Sequence, residues 1–372
     1  MNKALITINF IFYLLLYNVT LNAQNLVSQD EMQSIFDEVK TPYKYGLIIT
    51  PEDNSKMIDS PSVFKMDSIW LMTYIIFDGK GYETWIAESN DLIRWKTKGR
   101  ILSFTEDSWD SNQKAGYIAL QDYIWGGSYK VQKYNNKHWM SYLGGMTPGY
   151  EAGKLGIGIA YSYEPLNIVN EWKRLKKPVI SSDDSSARWY DNQTIYKSTI
   201  IWDKEKSLGH PFVMFYNAKG ENNENAEAER IAIALSDDMI NWKRFGEKPL
   251  IDHGNGISGD AFITKINEIW VMFYFGAFWK QGAFERFACS RDLINWTKWE
   301  GEDLISPSED FDNKYAHKPF VLKHNNIVYH FYCAVDNNNN RGIALATSKD
   351  IGKSRLKFNN YNYPQILDNN NN

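Results

Sequence analysis

The stretch ALSDDMINW, residues 234–242, decides the fold, because the chain repeats it. AESNDLIRW at 87–95 and ACSRDLINW at 288–296 share its pattern of a small residue, Ser, Asp, an apolar residue and Trp. A longer version, AYSYEPLNIVNEW, lies at 160–172, and a version without the tryptophan, ALATSKDIG, lies at 344–352. Five copies of one motif indicate a repeat architecture.

Two strand-like segments precede each copy of the motif. The nearer one is a continuous apolar run, such as PFVMFYNAK at 211–219, and the farther one ends in a lysine. These lysines are Lys65, Lys133, Lys197, Lys265 and Lys323, with spacings of 68, 64, 68 and 58 residues. With a weaker outer strand after the tryptophan, each unit has four strands, and the sequence predicts an all-β, five-bladed β-propeller.

A short helix is predicted ahead of the repeats, over residues 28–39. Ser28 and Glu31 fit a capping box. Apolar side chains recur at helical spacing: Met32, Ile35, Phe36 and Val39. We expect the helix to pack on the outside of the propeller. The predicted organisation is a lead-in segment with this helix over 24–54, the propeller over 55–358 and a C-terminal tail over 359–372.

The first residues have the three-part pattern of a secretory signal peptide. Lys3 is followed by an apolar run and a small-residue site at Asn22-Ala23. We therefore expect a signal peptide over residues 1–23 and a periplasmic or secreted protein. No later segment is long and apolar enough to span a bilayer, so membrane insertion is not expected.

Composition excludes further classes of function. The formal net charge is −4 and no basic run is present, which argues against a nucleic-acid partner. Cys289 and Cys333 lie in apolar runs, where two buried thiols are favoured over a bridge. Aromatic residues make up 15% of the chain, so they either fill a β core or line a site that stacks on sugar rings.

The starts of the lysine-ended strands are expected to converge, because the first strand of each blade lines the central channel of a propeller. Six residues before the lysines stand Asp59, Gly127, Asp191, Gly259 and His317. Five residues before them stand Ser60, Ser128, Asn192, Asp260 and Lys318. Three carboxylates, an imidazole and an ammonium group would meet at one mouth. Capping of turns is the alternative role for each aspartate.

Carboxylates and a proton donor in one cleft are what cleavage of a glycosidic bond needs. We expect Asp59 to be the general base, and Asp191 or His317 to be the general acid, helped by like-charge repulsion that raises a carboxyl pKa. Asp260 is the third catalytic carboxylate. Lys318 is expected to bind a sugar carboxylate or sulfate, or to hold Asp260 ionised. For His317, binding of substrate or of an ion stays open.

Aromatic side chains near the same mouth are candidates for binding the substrate: Trp125, Trp189, Tyr190 and Trp279. Packing between blades is the alternative for each of them. The other histidines show no metal-ligand spacing, so no cofactor and no catalytic metal are expected. The central channel is a candidate site for a structural Ca²⁺ or an ordered water.

The repeat, with Asp59 opening blade one, resembles glycoside hydrolase families 43 and 32, whose blades carry S-x-D-L-x-x-W. The resemblance to family 43 implies that Asp59 is the general base and that Asp191 stands where the family has its acid, while Gly127 stands at the blade-two position of an aspartate. GDAF and YAHKPF resemble family 117, which implies a site completed by Asp260 and His317. The whole resemblance implies an inverting hydrolase of plant or algal oligosaccharides or polysaccharides.

Two other functions stay open at this point. A carbohydrate-binding propeller without catalysis would keep the aromatic residues but would not need Asp59, Asp191 and Asp260. A glycoside phosphorylase like those of family 130 would need one acid and a cluster of basic residues for phosphate. The predicted mouth has few basic residues, which argues against the phosphorylase.

Overall fold

The computed structural model describes residues 26–170, 172–220 and 228–358. The predicted signal peptide at 1–23 and the predicted tail at 359–372 lie outside the described residues. In order along the chain, the elements are α1 (Gln29–Val39), β1 (Tyr43–Ile49), β2 (Met57–Met66), β3 (Ile69–Phe77), β4 (Tyr82–Ser89), β5 (Lys96–Leu102), β6 (Gln113–Ile118), β7 (His138–Gly145), β8 (Gly156–Ser162), β9 (Lys173–Arg174), β10 (Ile180–Ser181), β11 (Thr194–Trp202), β12 (Phe212–Lys219), β13 (Glu229–Ser236), β14 (Trp242–Phe245), β15 (Ile257–Ile266), β16 (Ile269–Ala277), β17 (Ala283–Ser290), β18 (Trp296–Lys298), β19 (Tyr315–His324), β20 (Ile327–Val335) and β21 (Arg341–Thr347).

The strands pair into five antiparallel units that follow the sequence order. Unit one is β2–β5, unit two β6–β10, unit three β11–β14 and unit four β15–β18, and unit five contains β19–β21. Single parallel pairs join neighbouring units, Tyr82 with Gln113 and Glu229 with Ile257. The prediction of an all-β propeller with a short helix is confirmed. In the described ranges, no helix has the length and apolar character of a bilayer span.

The first strand of the described residues, β1, is the outer strand of the last unit. β1 pairs antiparallel with β21, from Tyr43 opposite Thr347 to Ile49 opposite Ile343. The sequence pattern predicts only a lead-in segment here and does not reveal the strand. The pairing joins the two ends of the described residues, so unit five has four strands like its neighbours.

The repeated motif builds a tight turn between the third and fourth strands of units one, three and four. In unit four, the Asp292 carboxylate accepts hydrogen bonds from the backbone N–H groups of Ile294 (3.0 Å) and Asn295 (2.7 Å). Leu293 adopts a left-handed backbone conformation with φ 66°, and its carbonyl accepts the indole N–H of Trp296 at 2.9 Å. Units one and three repeat these contacts. The aspartate of the repeat therefore has a structural role, as an Asx turn.

Helix α1 begins as the capping box predicts. The Ser28 hydroxyl accepts the backbone N–H of Glu31 at 3.3 Å, and the Glu31 carboxylate accepts the backbone N–H of Ser28 at 3.0 Å. Met32, Ile35 and Val39 are buried. Phe36 stacks on Trp299 with the ring centroids 5.0 Å apart. The helix therefore packs against the propeller through the apolar face that its sequence predicts.

The second strand of each unit carries the core. All eight residues of β7 are buried, and β12, β16 and β20 are buried except at one end. Such continuous burial explains why these segments have apolar runs rather than alternating patterns. Cys289 in β17 and Cys333 in β20 are both buried free thiols.

The inner strands of units one, three, four and five each contain a bulge. The register shifts between Asp59 and Ser62, Ile195 and Ser198, Gly259 and Phe262, and His317 and Phe320. The predicted register is therefore correct in units one, four and five. It is wrong in unit three, where Ile195 and not Asp191 is equivalent to Asp59. It is also wrong in unit two, where the inner strand is β6 and not residues 127–133.

Candidate active site

A cavity of about 190 Å³ opens where the inner strands begin. All five units contribute side chains to it. Its charged and titratable lining is Glu151 from the loop between β7 and β8, Lys197 from β11, Glu229 from β13, Asp260 from β15, His317 and Lys318 from β19, and Arg341 from β21. We call this space the active-site cavity.

The strand bulges direct three of these side chains into the active-site cavity. Asp260 and Lys318 occupy the second bulge position with φ 55° and 65°, and Ser60 takes the same conformation in unit one. Lys197 lies in the bulge of unit three. A bulge re-aims a side chain that a regular strand would direct elsewhere. The register of the bulges therefore decides which residues reach the site.

The first residue of the third strand is a second recurring lining position. Tyr82, Glu229, Ala283 and Arg341 each open the third strand of their unit and line the active-site cavity. Sequence reasoning from the lysine-ended strands does not reach this position, so it missed Glu229 and Arg341. The signal that marks both is a charged residue at the start of the third strand, as in ERIAIALS at 229–236 and RGIALAT at 341–347.

Glu229 is a half-buried carboxyl group with a strongly shifted pKa. Burial, followed by the negative charge of Glu151, raises the pKa of Glu229 to about 8. The side-chain amide of Asn217 donates a hydrogen bond to its Oε2 at 3.2 Å, which opposes that shift. Asn217 also accepts the backbone N–H of Asp260 at 3.4 Å, so it links Glu229 to the bulge of unit four. At neutral pH Glu229 holds a proton that it can donate.

Glu151 lies on the loop of unit two that follows β7. It has φ 48°, between Gly149 (φ 120°) and Gly153 (φ 72°). A Cβ on Gly153 would lie 2.2 Å from the Thr147 hydroxyl, so this turn needs glycine. Sequence reasoning missed Glu151 because it lies outside every strand that the repeat identifies.

The loop is held across the active-site cavity by Tyr150. The Tyr150 hydroxyl accepts a hydrogen bond from Arg341 Nη1 at 2.6 Å, and its ring packs edge-on against Phe77 and Tyr82 of unit one. Tyr82 donates to the Glu151 carboxylate at 3.4 Å. These contacts bring a carboxylate from unit two into the site, opposite units one and five.

The neighbours of Glu151 differ in charge from those of Glu229. Burial raises the pKa of Glu151, and Lys318, whose Nζ lies 3.8 Å from Oε1, opposes the shift. Both side chains are half-buried, but the ammonium group of Lys318 approaches Glu151, whereas the neutral amide of Asn217 donates to Glu229. The two glutamates therefore have different polar partners in one site.

Asp59, the expected general base, is 1% exposed and is not among the residues that line the active-site cavity. Its Oδ2 accepts hydrogen bonds from Lys318 Nζ at 2.8 Å and Arg341 Nη1 at 3.2 Å. Burial alone would raise the pKa of Asp59, but Lys318, Arg341 and His317 together hold it well below its usual range. A carboxylate with two cationic partners is a weak base, so its geometry is that of an anchor for Lys318 and Arg341.

Asp260 and His317 both line the active-site cavity, as the sequence predicts. Asp260 is 4% exposed and lies 3.5 Å from Lys197 Nζ. Burial is the largest effect on His317 and lowers its pKa to about 3. Its Nδ1 lies 3.2 Å from the carbonyl oxygen of Cys333. His317 is therefore neutral at physiological pH and is unsuited to the acid role considered for it.

Lys318 also lines the cavity, but its ammonium group is engaged. Burial is the largest effect and lowers the pKa of Lys318, but Asp59, Tyr150, Asp260 and Glu151 together hold that pKa well above its usual range. The ammonium group that pairs with Asp260 is that of Lys197, at 3.5 Å, and Lys318 pairs with Asp59.

Asp191, the favoured acid, does not reach the active-site cavity. It is fully buried in front of β11, where Tyr216 Oη donates to it at 2.8 Å and Arg244 Nε at 2.6 Å. The backbone N–H of Arg188 donates to its other oxygen at 2.6 Å. Asp191 lies four residues before Ile195, the true bulge position, so the predicted convergence with Asp59 is wrong for this residue.

The four aromatic candidates do not line the active-site cavity. Trp125 donates its indole N–H to Glu38 of α1 at 2.7 Å. Trp189 is 44% exposed and packs under Arg230, and Tyr190 is fully buried beside it. Trp279 stacks on His253. The aromatic residues that do line the cavity are Tyr82, Tyr117, Tyr150, Tyr196, Phe275, Phe278 and Tyr315.

One group of side chains resembles a metal site in its spacing. Ligand atoms of Asp59, His317 and Cys333 lie within 4.8 Å of one another. The set does not fit the Ca²⁺ considered for the channel, because Ca²⁺ takes six to eight oxygen ligands and this group offers one carboxylate. That carboxylate is already paired with Lys318 and Arg341. That no catalytic metal is needed stays a prediction.

Comparison with solved structures identifies relatives of this protein. A structure of BT0996 in an RGII complex has 50% identity, covers 89% of this chain and 98% of that chain, and has a TM-score of 0.87. A second structure, of a glycoside hydrolase, has 49% identity, covers 90% of this chain and 99% of that chain, and has a TM-score of 0.87. A thermostable family-43 glycoside hydrolase shares the fold at 18% identity, with 81% and 96% coverage and a TM-score of 0.58.

No family model matches the sequence, and no curated protein matches it. The two structures near half identity extend over almost all the described residues and almost their own full length. They bear out the resemblance to propeller glycoside hydrolases. This protein belongs to the glycoside hydrolases of β-propeller fold, as a divergent member.

Proposed function

We propose that the active-site cavity cleaves a glycosidic bond with Glu229 as the general acid and Glu151 as the second carboxylate. The observation that carries this proposal is that Glu151 and Glu229 line one cavity, where burial and the charge of Glu151 raise the pKa of Glu229 to about 8. A carboxyl group that stays protonated at neutral pH can protonate the leaving oxygen of a glycoside. Pairs of carboxyls with separated pKa values are typical of acid and base roles in one site.

Glu151 is assigned the role of general base because it is better placed than Asp59 to reach a substrate in the active-site cavity. It lines the active-site cavity and is partly exposed, whereas Asp59 is buried and paired with two cations. Lys318 near Glu151 favours its ionised form. In an inverting reaction, Glu151 takes a proton from water as the water attacks the anomeric carbon, and Glu229 gives its proton to the departing oxygen. Inversion stays a prediction, which NMR of the first product tests.

The size of the active-site cavity supports removal of one terminal sugar residue. A cavity of about 150 Å³ in another protein binds one benzene ring. The volume of about 190 Å³ here suits one sugar ring better than a stretch of polysaccharide. We therefore propose exo action, with the rest of the glycan outside the cavity.

The proposed substrate is a glycan of the RGII type. The support is the 50% identical BT0996, whose structure is an RGII complex. A plant polysaccharide agrees with the predicted substrate class. Export through the predicted signal peptide, to the periplasm or the outside of the cell, would bring the protein to such a substrate.

Phosphorolysis receives little support from the cations of the site. Lys197, Lys318 and Arg341 line the active-site cavity, but they pair with Asp260, Asp59 and Tyr150. These pairs leave little free positive charge for phosphate. A binding protein without catalysis would not need a carboxyl group whose pKa is raised to about 8.

The test is product analysis with purified protein. RGII oligosaccharides and a panel of other plant and algal oligosaccharides are incubated with and without phosphate, and the products are separated by chromatography. The proposal expects release of one free monosaccharide without phosphate. Sugar phosphates formed only with phosphate would establish a phosphorylase, and binding of oligosaccharides without any product would establish a binding protein.

A further inference from the structure

Phe278 lies at the entrance of the active-site cavity in a conformation that is unfavourable for the stability of the fold. Its side chain is 63% exposed, and it lines the cavity. Its backbone is left-handed with φ 66°, a conformation that bulky residues rarely adopt. A large apolar side chain in water and a strained backbone are both unfavourable, and such strain concentrates at functional sites.

Half-buried neighbours pack around the turn that carries Phe278. The Trp279 indole stacks on His253 with centroids 4.1 Å apart and donates to the carbonyl of Ile257 at 2.9 Å. Gly256 lies against the same turn, where a Cβ would be 2.3 Å from the carbonyl oxygen of Ala277. Trp279, expected from the sequence to stack on sugar, is instead the support that fixes its neighbour.

A second ring stands beside Phe278. Tyr315 also lines the active-site cavity, and its ring is perpendicular to Phe278 with centroids 6.5 Å apart. The cavity holds about one sugar ring, so the next residue of a glycan must lie outside it. Phe278 is the lining residue with the most exposed apolar face, and it is continuous with the cavity.

We propose that the Phe278 ring is the stacking surface for the sugar residue on the leaving-group side of the scissile bond. The apolar C–H face of that sugar covers the exposed ring, and Tyr315 limits its position from the side. This inference rests on the proposed glycoside hydrolysis. The inference adds to the proposed hydrolysis a binding surface for the sugar on the leaving-group side. The enzyme then selects glycans whose second residue presents a flat C–H face.

The test measures binding, so that it does not depend on turnover. In a Glu229→Gln background, an RGII oligosaccharide and its released monosaccharide are titrated by calorimetry. Phe278→Leu keeps apolar volume but loses the ring, and Phe278→Tyr keeps the ring. Tyr163→Ala is the matched control, since Tyr163 is 50% exposed and does not line the cavity.

We expect Phe278→Leu to weaken oligosaccharide binding about three- to tenfold, the scale of one aromatic stacking contact, and monosaccharide binding less than about twofold. Phe278→Tyr and Tyr163→Ala should stay near the parent affinity. Unchanged oligosaccharide affinity in Phe278→Leu, equal losses for both ligands, or no binding of the oligosaccharide by the parent would overturn the assignment. A selective loss in a protein that forms no product would uphold the stacking site and overturn the hydrolysis alone.

Discussion

Glu151 and Glu229 lie in one cavity, and the negative charge of Glu151 is the second largest cause, after burial, of the raised pKa of Glu229. The two glutamates come from different units, one from a loop of unit two and one from the start of β13. In the proposed reaction Glu229, whose pKa is raised to about 8, keeps the proton, and Glu151 acts as the base.

The pH dependence of kcat/KM should have its basic limb near pH 8. Glu229 must be protonated to act, and its pKa is raised from 4.5 to about 8, so activity persists through neutral pH and falls as pH rises through that value. A pH profile of kcat/KM on an oligosaccharide measures the limb. A basic limb near pH 5 would show that Glu229 does not supply the proton.

Asn217→Ala should move that limb to higher pH. The Asn217 amide donates to Glu229 and favours its ionised form, so its loss raises the pKa of Glu229 further. The rate should also fall, because the acid loses the contact that orients it. The control is Asn295→Ala, in the outer turn of unit four. A limb that stays in place, or that moves to lower pH, would contradict the role of Asn217.

Asp59→Asn should reduce stability more than catalysis. Removing one partner of a buried ion pair costs about 3–5 kcal/mol, because Lys318 and Arg341 lose their anion. Denaturant unfolding measures the stability, and kcat/KM is measured where the variant is folded. We expect a smaller loss of kcat/KM than in Glu151→Gln. Unchanged stability with abolished activity would restore Asp59 as the general base.

Asp292→Ala should lower stability without changing activity. It removes the acceptor of two backbone N–H groups in the outer turn of unit four, a loss of about 1–2 kcal/mol. Thermal unfolding should shift down by a few degrees, and kcat/KM should match wild type. A loss of kcat/KM in the folded variant would show that the repeat contributes to the site.

Much of the fold follows from local sequence. The repeated turn is built within nine residues, from Asp292, Leu293, Trp296 and their equivalents, so its pattern survives in the sequence. The capping box of α1 is equally local. β1 could not be found in this way, because its partner β21 lies at the other end of the sequence.

The site residues were only partly predictable, because the register of the strand bulges decides which side chains reach the active-site cavity. Asp260, His317 and Lys318 were found where the bulge keeps the expected offset from the lysine. In unit three the offset differs by four residues, so the sequence placed Asp191 where the structure has Ile195, and it did not identify Lys197 as a site residue. Glu151 has no repeat signal at all, since its loop is shaped by Gly149, Gly153 and the contact of Tyr150 with Arg341.

The central claim is that Glu229 gives the proton and Glu151 does not. The most direct measurement compares kcat/KM of Glu229→Gln and Glu151→Gln on a natural glycoside and on a nitrophenyl glycoside of the same sugar, whose leaving group needs little protonation. We predict that Glu229→Gln loses about 10²–10⁴-fold on the natural glycoside and far less on the nitrophenyl glycoside, and that Glu151→Gln loses heavily on both. Equal losses on both substrates in Glu229→Gln, or the selective loss in Glu151→Gln, would contradict the account.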